Sequence, residues 1–445
     1  MQTANHLSKR RGPVTLAIVG AGKRGEAYAA YASEHPDLSK VVAVAEPRQF
    51  QRERMAQVHS IPPVNCFDSW EDLACVPRLA DAVLICTQDQ MHLQPVLALA
   101  PKGYAILLEK PMSTNLAECE QIVQCVKQHG NLFAVCHVLL YTDFTRRLKS
   151  LLDSGAIGEV VSVQHLEPVG WWHQAHSFVR GNWRNERDAT FMLLAKSCHD
   201  MDWIRHVMGR PCRSVASFGS LRHFRASERP PEAADRCLDC SVESRCPYSA
   251  KRFYLDQFGR DWIVDYCVSV ITDDHTPEGV TRALREGPYG RCVYACDNDV
   301  VDNQAVILEF ADGATASFTM TAFTPTFHRK TRLFGTRGYI ETDSVRVTIF
   351  DFVSEKETVI DTSVAEASAT AATGHGGGDY GLMKAFVEAV STGDRGKVWS
   401  GPDETLASHR IIFAAEQARR ERRVVAMEEL EMSASASRGG PAGAG

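Results

Sequence analysis

The stretch GAGKRG, at residues 20–25, constrains the fold of this chain more than any other feature. It follows the apolar run VTLAIVG and precedes a helix-forming segment, so it has the spacing of a strand–turn–helix loop that binds a dinucleotide. Gly20 is expected to permit the tight turn, Gly22 to let the backbone approach a pyrophosphate, and Gly25 to let the helix pack close to the sheet. The phosphates would then face the helix N-terminus, where free amides and the helix dipole favour anions.

An acidic residue stands near the end of the second predicted strand, KVVAVAEP. Glu46 follows the glycine loop by about 20 residues, the spacing at which a carboxylate binds the ribose hydroxyls. Because a carboxylate repels a 2′-phosphate, Glu46 favours NAD, whereas Arg48 would suit NADP. The loop residues Lys23 and Arg24 are also expected at the cofactor. A glycine-rich turn without a ligand is the alternative interpretation.

Short apolar strands alternate with helical stretches over residues 13–138, which predicts a doubly wound parallel sheet. Longer strands follow after about residue 140, and ADG at residues 311–313 predicts a hairpin turn. The sequence therefore predicts an α/β fold, with a Rossmann domain at 13–138 and an α+β domain at 139–430 that holds a large open, mostly antiparallel sheet. The remaining predicted segments are a cysteine-rich insertion at about 225–300 and disordered tails at 1–12 and 431–445.

Charge and hydropathy exclude several classes of partner. The 445-residue chain has a formal net charge of −6, so no basic surface points to nucleic acid. No apolar run approaches the roughly 20 residues that a membrane-spanning helix needs. The basic N-terminus is not followed by the apolar core of a secretory leader. The sequence therefore predicts a cytoplasmic protein with neither a membrane nor a nucleic-acid partner.

Three motifs together resemble the Gfo/Idh/MocA family of oxidoreductases, the relatives of glucose–fructose oxidoreductase and inositol dehydrogenase. They are GAGKRG at 20–25, CTQDQMHLQPVLALAPKGYAILLEKPMSTN at 86–115 and KSLLDSGAIGEVVSV at 149–163. The Glu-Lys-Pro tripeptide at 109–111 is the most specific of the shared features. The resemblance implies a Rossmann domain joined to an open-sheet substrate domain, and nicotinamide chemistry on sugars, inositols or related polyols. It also implies homo-oligomers packed through the open sheet.

Polar residues at the ends of two neighbouring predicted strands form the expected centre of the site. Ligands of parallel sheets bind outside the carboxyl ends of the strands, and Lys110 ends the run YAILLEKP. Its ammonium is expected to hydrogen-bond a substrate hydroxyl and to help carry its proton. Cofactor contacts are predicted for Glu109 and Lys110 on this strand, and for Thr87, Gln88 and His92 on the preceding one. For His92, an ordinary helix-start residue is the alternative.

The segment LLAKSCHDMDWIRHVMG, at residues 193–209, combines an apolar stripe with titratable side chains. As one helix over residues 190–208, it would place Cys198 on the apolar face and His199 on the other. The resemblance implies a catalytic histidine in this helix, and His199 matches it. Histidine is well suited to general acid/base catalysis near neutral pH. The family often has an aspartate four residues earlier, where this chain has Ala195.

Two lysines and an aspartate complete the predicted proton-handling group. Lys110 and Lys196 are expected to polarise the substrate oxygen and stabilise an alkoxide. Asp202, three residues beyond His199, is expected to orient the imidazole. A core histidine is the alternative for His199, and a surface ion pair is the alternative for Lys196 and Asp202.

Aromatic and hydrogen-bonding side chains suit a sugar ring, which has an apolar face and many hydroxyls. The stretch GWWHQAHSFVRGNWR supplies the substrate candidates Trp172, His173, His176, Arg180 and Trp183. The glycine-rich stretch at residues 374–381 is predicted to be irregular, with His375 and Asp379 closing over the substrate. An aromatic core loop and a flexible linker are the respective alternatives.

Five cysteines of the predicted insertion, out of 14 in the chain, form a C-x₂-C-x₅-C motif followed by a later pair. Four thiolates suit tetrahedral zinc, and C-x₂-C is its usual first half. A structural site for zinc or another soft metal is therefore predicted, with its four ligands drawn from Cys237, Cys240, Cys246, Cys292 and Cys296; the sequence leaves open which of the last two is a ligand. An iron–sulfur cluster, and free or oxidised thiols, are the alternatives.

These features together predict an NAD(P)-dependent oxidoreductase that transfers hydride between a nicotinamide and a sugar, inositol or related polyol. One alternative is a glycoside-cleaving enzyme that uses NAD for a transient oxidation. Another is a nucleotide-binding relative without activity, which the presence of Lys110 and His199 disfavours. The fold alone does not separate the three.

Overall fold

A six-stranded sheet, parallel throughout, forms the first half of the chain. The computed structural model describes residues 12–260, 262–325, 328–362 and 375–430. The strands are β1 (Val14–Val19), β2 (Ser39–Ala45), β3 (Cys66–Phe67), β4 (Ala82–Ile85), β5 (Ala105–Leu108) and β6 (Phe133–Val135). Their order is β3-β2-β1-β4-β5-β6, which confirms the predicted doubly wound sheet. The strand order reverses between β1 and β4, where such sheets bind their ligands.

Helices cover both faces of this sheet. They are α1 (Lys23–Glu34), α2 (Gln49–His59), α3 (Trp70–Cys75), α4 (Leu93–Leu99) and α5 (Leu116–Gln128). Successive residues of β1 enter different cores: Ile18 packs in one apolar cluster and Val19 in another. Because neighbouring side chains of a strand point to opposite faces, both sides of the sheet are buried, and this is why the strands are apolar without alternation.

The second half builds a nine-stranded mixed sheet in the order β14-β13-β12-β11-β7-β10-β9-β8-β15. Its strands are β7 (Val160–Pro168), β8 (Cys212–Ser220), β9 (Asn303–Phe310), β10 (Thr315–Thr321), β11 (Lys330–Gly335), β12 (Gly338–Thr342), β13 (Arg346–Asp351), β14 (Lys356–Asp361) and β15 (Val425–Ala426). Pairing is antiparallel except between β7 and β10. The predicted hairpin joins β9 to β10, with Gly313 at a φ of +88° in its turn. The predicted α+β architecture is thereby confirmed, while the domain boundaries stay predictions.

Nine further helices accompany this sheet in the described residues: α6 (Asp143–Asp153), α7 (Trp171–His173), α8 (Met192–Ala195), α9 (Cys198–Met208), α10 (Ala250–Tyr254), α11 (Trp262–Ile271), α12 (Pro277–Glu286), α13 (Gly378–Thr392) and α14 (Pro402–Glu421). The single helix predicted over residues 190–208 is wrong, because the structure breaks it between Ala195 and Cys198. Both pieces are buried nearly throughout, so the predicted contrast between an apolar and a polar face is also wrong.

The prediction of an irregular glycine-rich stretch at residues 374–381 is wrong from Gly378 onward, where α13 begins. A Cβ on Gly378 would lie 2.5 Å from the Val138 carbonyl oxygen, and one on Gly381 would lie 2.2 Å from that of Tyr141. These glycines therefore permit close packing of a helix against the turn that follows β6. Apart from Gly12, the predicted tails lie outside the described residues.

The segment between β8 and β9 is the predicted insertion, and it consists of short helical turns and α10, α11 and α12. It has one small apolar cluster of its own, and it shares a second one with Ala175, Val179 and Ala322; both are distinct from the main cores. Within the described residues, no helix is both long enough and apolar enough to cross a membrane.

Candidate active site

The glycine loop forms a close-packed turn that is open on one side. Gly20 has a φ of +89°, and a Cβ there would lie 2.6 Å from the Cys86 carbonyl oxygen. A Cβ on Gly25 would lie 2.2 Å from the Gly20 carbonyl oxygen. On Gly22 it would meet nothing closer than the Arg48 guanidinium, at 3.4 Å. Since no side chain caps α1, its first amides face outward beside this open glycine, and this arrangement fits a pyrophosphate.

Glu46, just beyond β2, is buried and holds the glycine loop. Its Oε2 accepts the Ala21 amide at 2.8 Å, and its Oε1 accepts Nε of Arg48 at 2.8 Å. Burial raises the pKa of this carboxyl, but hydrogen bonds from Arg48 and Ala21 outweigh it and keep the pKa below its ordinary value. The carboxylate is therefore ionised at neutral pH and positioned at the loop. Its contact with ribose hydroxyls stays a prediction.

Arg24 points into the protein instead of toward the phosphates, so its predicted cofactor contact is not supported. Its Nε donates to Glu109 Oε1 at 2.7 Å, and its Nη2 pairs with Asp379 Oδ1 at 2.5 Å. The Tyr28 ring lies 4.6 Å from the guanidinium carbon. Arg24 thus ties α1 to the residue after β5 and to α13. Lys23 lies at the surface, 3.9 Å from Glu26.

Two histidine contacts hold the turn that carries Lys110. His92 Nδ1 lies 2.8 Å from the Pro111 carbonyl oxygen. The Met112 amide donates to Nε2 of His409 at 2.9 Å, and the Lys110–Pro111 peptide bond is cis. The predicted cofactor contact of His92 is therefore wrong, because both of its ring nitrogens face main-chain carbonyls and it is fully buried. It is a positioning residue for the Glu-Lys-Pro turn.

The other predicted residues around this turn differ in exposure. Glu109 is buried and accepts Arg24, the Tyr28 hydroxyl at 2.7 Å and the Lys110 amide at 2.7 Å, so it supports the turn from inside. The Thr87 hydroxyl oxygen is buried without a hydrogen-bond partner among the described residues. Gln88 is exposed at the start of the loop after β4. Contacts of Thr87 and Gln88 with a cofactor stay predictions.

Lys110 and His199 lie near each other, at the break between α8 and α9. The Lys110 ammonium donates to the Ala195 carbonyl oxygen at 2.9 Å, at the end of α8. His199, in the first turn of α9, is buried, and its Nδ1 has no partner among the described residues. Burial and then the charge of Lys110 lower its pKa well below the ordinary value. The imidazole is therefore neutral at pH 7 with a nitrogen free to accept a proton.

Two more imidazoles flank His199. The His137 ring lies 5.8 Å from it and the His375 ring 5.6 Å. His137 follows β6, and burial lowers its pKa to about 3. His375 contacts Asp379, with 3.2 Å between Nδ1 and Oδ2. Asp379 is itself buried and forms an ion pair with Arg24. It is therefore not placed to close over the substrate, as the sequence predicted.

Lys196 and Asp202 do not occupy their predicted places. Lys196 Nζ lies 3.2 Å from Glu167 Oε1, in the break between α8 and α9. Asp202 Oδ1 lies 3.5 Å from Arg205 Nε, so the carboxylate is paired along its own helix and does not orient His199. The polarising role of Lys196 stays a prediction, in which its ammonium is shared with a buried carboxylate.

Most of the predicted substrate residues face the insertion. His176 lies with Nδ1 2.6 Å from the Tyr254 hydroxyl. Arg180 is buried and donates to the carbonyl oxygens of Arg291 and Tyr248, at 2.8 Å each. These two predicted substrate contacts are therefore wrong, because the side chains are used to dock the insertion.

The remaining aromatic candidates include one that packs against the insertion and one that lies beside the loop after β4. The Trp172 ring stacks on Phe253 of α10, with 5.5 Å between centroids, so it also packs against the insertion. Trp183 Nε1 donates to Asp89 at 3.3 Å, beside the loop after β4. His173 is half-buried, and its pKa is lowered well below the ordinary value by burial and by Lys196, with a contribution from His375. Of the five, only His173 and Trp183 stay candidates for substrate contact.

Family models match almost the whole chain. The model described as "Oxidoreductase family, NAD-binding Rossmann fold" matches residues 14–137, and "Oxidoreductase family, C-terminal alpha/beta domain" matches residues 149–427. The chain belongs to the Gfo/Idh/MocA family of oxidoreductases. The resemblance found in the sequence is thereby confirmed, and so is an NAD(P)-dependent enzyme with an NAD-binding Rossmann domain.

Individual relatives of this Gfo/Idh/MocA protein are distant. The putative oxidoreductase YteT of Bacillus subtilis is 22% identical over 353 residues, which covers 76% of this chain and 79% of the relative. The 2,7-anhydro-N-acetylneuraminate hydratase of Escherichia coli is 24% identical and covers 47% of this chain and 54% of its own length. Scyllo-inositol dehydrogenase from Lactobacillus casei, solved with NAD(H) and scyllo-inositol, superposes with a TM-score of 0.63 at 17% identity, covering 94% and 99% of the two chains.

Several polar residues of this Gfo/Idh/MocA site were missed from the sequence. His137 carried a usable signal, because it follows a predicted parallel strand and ligands gather at such ends. A buried cluster of charged residues beneath Lys196 gave no such signal in the sequence. There, Arg329 lies 2.9 Å from Glu167 and 2.5 Å from Asp200, and His165 lies 3.0 Å from Asp200. These residues come from β7, from α9 and from the residue before β11, so only the fold brings them together.

Proposed function

We propose that this protein is an NAD-dependent dehydrogenase that transfers hydride between the nicotinamide and a hydroxyl-bearing carbon of a sugar, inositol or related polyol. The observation that carries the proposal is the position of the Lys110 ammonium near the neutral His199 imidazole, at the carboxyl ends of the parallel strands. The glycine loop opens at the same end of this sheet.

His199 and Lys110 have separate roles in the transfer of the substrate proton. When the cofactor is bound, its nicotinamide supplies or accepts the hydride. His199 takes the proton of the substrate hydroxyl at a neutral ring nitrogen. Lys110 stabilises the developing alkoxide, since a preorganised cation in a water-poor site favours negative charge that builds up during reaction. Lys110 is itself fixed by the Ala195 carbonyl at 2.9 Å.

His375 and Asp379 form the second part of the proposed relay. The family's usual aspartate is replaced by Ala195, but a carboxylate–imidazole pair reaches the site from α13 and from the turn that precedes it. His375 lies with its ring 5.6 Å from that of His199, and its Nδ1 is 3.2 Å from Asp379. We assign this pair to passing the proton from His199 toward solvent, because the side chain of His375 is 38% exposed.

The preference for NAD over NADP rests on Glu46. Its ionised carboxylate stands at the strand end where the adenosine ribose of a dinucleotide is bound, and it repels a 2′-phosphate. Arg48 is held by this carboxylate at 2.8 Å, so its charge is partly neutralised and less available to a phosphate.

The proposal is tested by following absorbance at 340 nm with NAD or NADP and a panel of aldoses, inositols and linear polyols. We expect reduction of NAD with at least one member, and a lower kcat/KM with NADP. A protein that binds NAD but reduces it with no sugar, inositol or polyol in the panel would contradict the dehydrogenase assignment.

A second candidate reaction is one with a transient oxidation and no net redox change. It is favoured by the names of two relatives, the 2,7-anhydro-N-acetylneuraminate hydratases of Escherichia coli and Mediterraneibacter gnavus, because a hydratase produces no net NADH. A glycoside-cleaving enzyme of this type would release the aglycone from aryl glycosides without a lasting rise at 340 nm, and activity would still require NAD. That pair of results separates it from a dehydrogenase.

We also propose that the open face of the nine-stranded sheet joins copies of this chain. Apolar side chains stand exposed along it: Phe218 is 68% exposed, Val161 51% and Ile307 49%. Exposed apolar patches of this kind mark interaction surfaces. Light scattering coupled to gel filtration is expected to show a homo-oligomer, and Phe218→Lys is expected to shift it toward monomer.

A further inference from the structure

Four cysteines of the insertion surround one small cavity that lies outside the active site. Cys237, Cys240 and Cys246 come from two consecutive helical turns, and Cys292 comes from the other end of the insertion. The Cys292 amide donates to the Asp235 carbonyl oxygen at 2.8 Å. An antiparallel bridge between the neighbouring residues, Arg236 and Arg291, holds the two segments side by side.

The size of the cavity suits a single ion. Its volume is about 20 Å³, and the four cysteines line it together with largely apolar neighbours. A void of this size holds about one water-sized body. It is therefore too small for a cubic iron–sulfur cluster, whereas one tetrahedral ion needs only the four sulfurs around it.

A buried cation stands beside these sulfurs. Arg180 Nη2 lies 3.5 Å from Cys237 Sγ, and the guanidinium is fixed by main-chain carbonyls of Tyr248 and Arg291. Four thiolates around a divalent ion carry a net charge of −2, and a fixed positive charge at this distance offsets part of the cost of burying it. A set of neutral thiols gains little from such a neighbour.

Cys296 does not belong to the group, so the predicted set of five is corrected to four. Its Sγ donates to the Cys292 carbonyl oxygen at 3.3 Å, and it does not line the cavity. In the part of the chain that the structure describes, no three histidine, cysteine or acidic side chains are already gathered closely enough to share an ion. Binding therefore requires the four thiols to close inward as they lose their protons.

We propose that Cys237, Cys240, Cys246 and Cys292 bind one zinc ion, which fastens the two ends of the insertion together. The insertion otherwise has only small apolar clusters, and a closed site of four thiolates stabilises such a segment without taking part in chemistry.

The test begins with zinc, iron and acid-labile sulfide analysis of the full-length protein and two matched variants. We expect about one zinc per chain, a loss of about tenfold in Cys240→Ser, and retention in Cys296→Ser. Absence of zinc, zinc retained in Cys240→Ser, or equal loss from both variants would overturn the proposal, and so would iron with sulfide.

A second measurement on the unchanged protein covers the case in which Cys240→Ser fails to fold. Thiol alkylation is mapped by mass spectrometry before and after treatment with a chelator. We expect the four cavity cysteines to be protected from alkylation. The chelator should remove this protection and added zinc should restore it, whereas Cys296 should be labelled equally in all three states. Labelling of the four that is indifferent to chelator and to zinc would overturn the site, whatever the substrate tests show.

Discussion

The Lys110 ammonium donates a hydrogen bond to the Ala195 carbonyl oxygen, at the point where α8 ends. A helix leaves its last carbonyls without intrahelical partners. The break before Cys198 therefore creates the acceptor that holds the lysine, and it begins α9 so that His199 lies in the first turn. One irregularity of the backbone thus fixes both groups of the proposed proton transfer.

Replacing the lysine separates its chemistry from binding. Lys110→Met should lower kcat by about 100-fold or more, since it removes the charge that stabilises the alkoxide. Cofactor affinity, measured by quenching of tryptophan fluorescence, should fall by less than about tenfold, because Lys110 is one of several predicted cofactor contacts and the glycine loop is untouched. The control is Lys127→Met, which removes an exposed lysine paired with Asp403. Full activity in Lys110→Met would contradict the assigned role.

Two glycines of the same loop should respond differently to a methyl group. Gly22→Ala should keep the free energy of unfolding within about 0.5 kcal/mol, because its Cβ meets no atom closer than 3.4 Å. The same substitution should weaken NAD binding about tenfold, or about 1.4 kcal/mol, because the added methyl group would fill the open side of the glycine loop. Gly25→Ala should cost about 2 kcal/mol of stability, because its Cβ would lie 2.2 Å from a carbonyl oxygen. Urea unfolding measures the stability, and calorimetric titration measures the NAD affinity. Equal NAD affinity in Gly22→Ala and wild type would contradict the binding of a pyrophosphate at the open side of the glycine loop.

Buried neutral histidines should make the fold sensitive to acid. Burial lowers the pKa of His137 and of His409 to about 3 each. Between pH 6.5, near the ordinary histidine pKa, and about pH 3, the unfolded chain therefore binds more protons than the folded chain. Stability is complete above pH 6.5 and falls as the pH drops through that window. Each histidine should remove about 2 kcal/mol of unfolding free energy between pH 7 and pH 5.

The variant that checks this effect is His137→Phe, in which the ring nitrogens are lost. Urea unfolding at pH 7 and pH 5 should show a smaller difference than in wild type, by about 2 kcal/mol. An unchanged difference between the two pH values would mean that His137 is not buried in its neutral form.

The relay assigned to His375 and Asp379 should show itself as non-additivity. His375→Asn and Asp379→Asn should each lower kcat about tenfold or more. The double variant should be little worse than either alone, because the residues act as a unit. His129→Asn, at an exposed position on another helix, serves as the control. Independent, multiplicative losses in the double variant would rule out a shared path.

Asp379→Asn should also weaken the fold, since it leaves Arg24 with one carboxylate. Breaking a buried ion pair costs about 3–5 kcal/mol; because about a third of the Arg24 side chain is exposed, we expect a loss nearer 2 kcal/mol. Urea unfolding of Asp379→Asn and of Arg24→Met measures this. A loss below 0.5 kcal/mol in both variants would mean that the pair is solvated.

The features that could be predicted from the sequence are those that a short segment determines by itself. The glycine spacing, the apolar strands and the Glu-Lys-Pro tripeptide each act through neighbouring residues, so the Rossmann half and Lys110 followed from them. The break at Lys196 did not, because apolar periodicity continues through it. Arg24, Arg180 and Asp379 were assigned to ligands, since nothing local shows that their partners are other side or main chains brought close by the fold.

The bond from the Met112 amide to His409 spans 297 residues of sequence. A ribosome finishes the Rossmann strands long before it makes the histidine that steadies the Lys110 turn. While it is being made, the chain therefore carries Lys110 on a turn that His92 and Glu109 support but that His409 does not yet contact. A premature stop codon before α14 would remove this contact while leaving the residues of all six Rossmann strands in place, so the Lys110 turn depends on a C-terminal helix as well as on its own half of the chain.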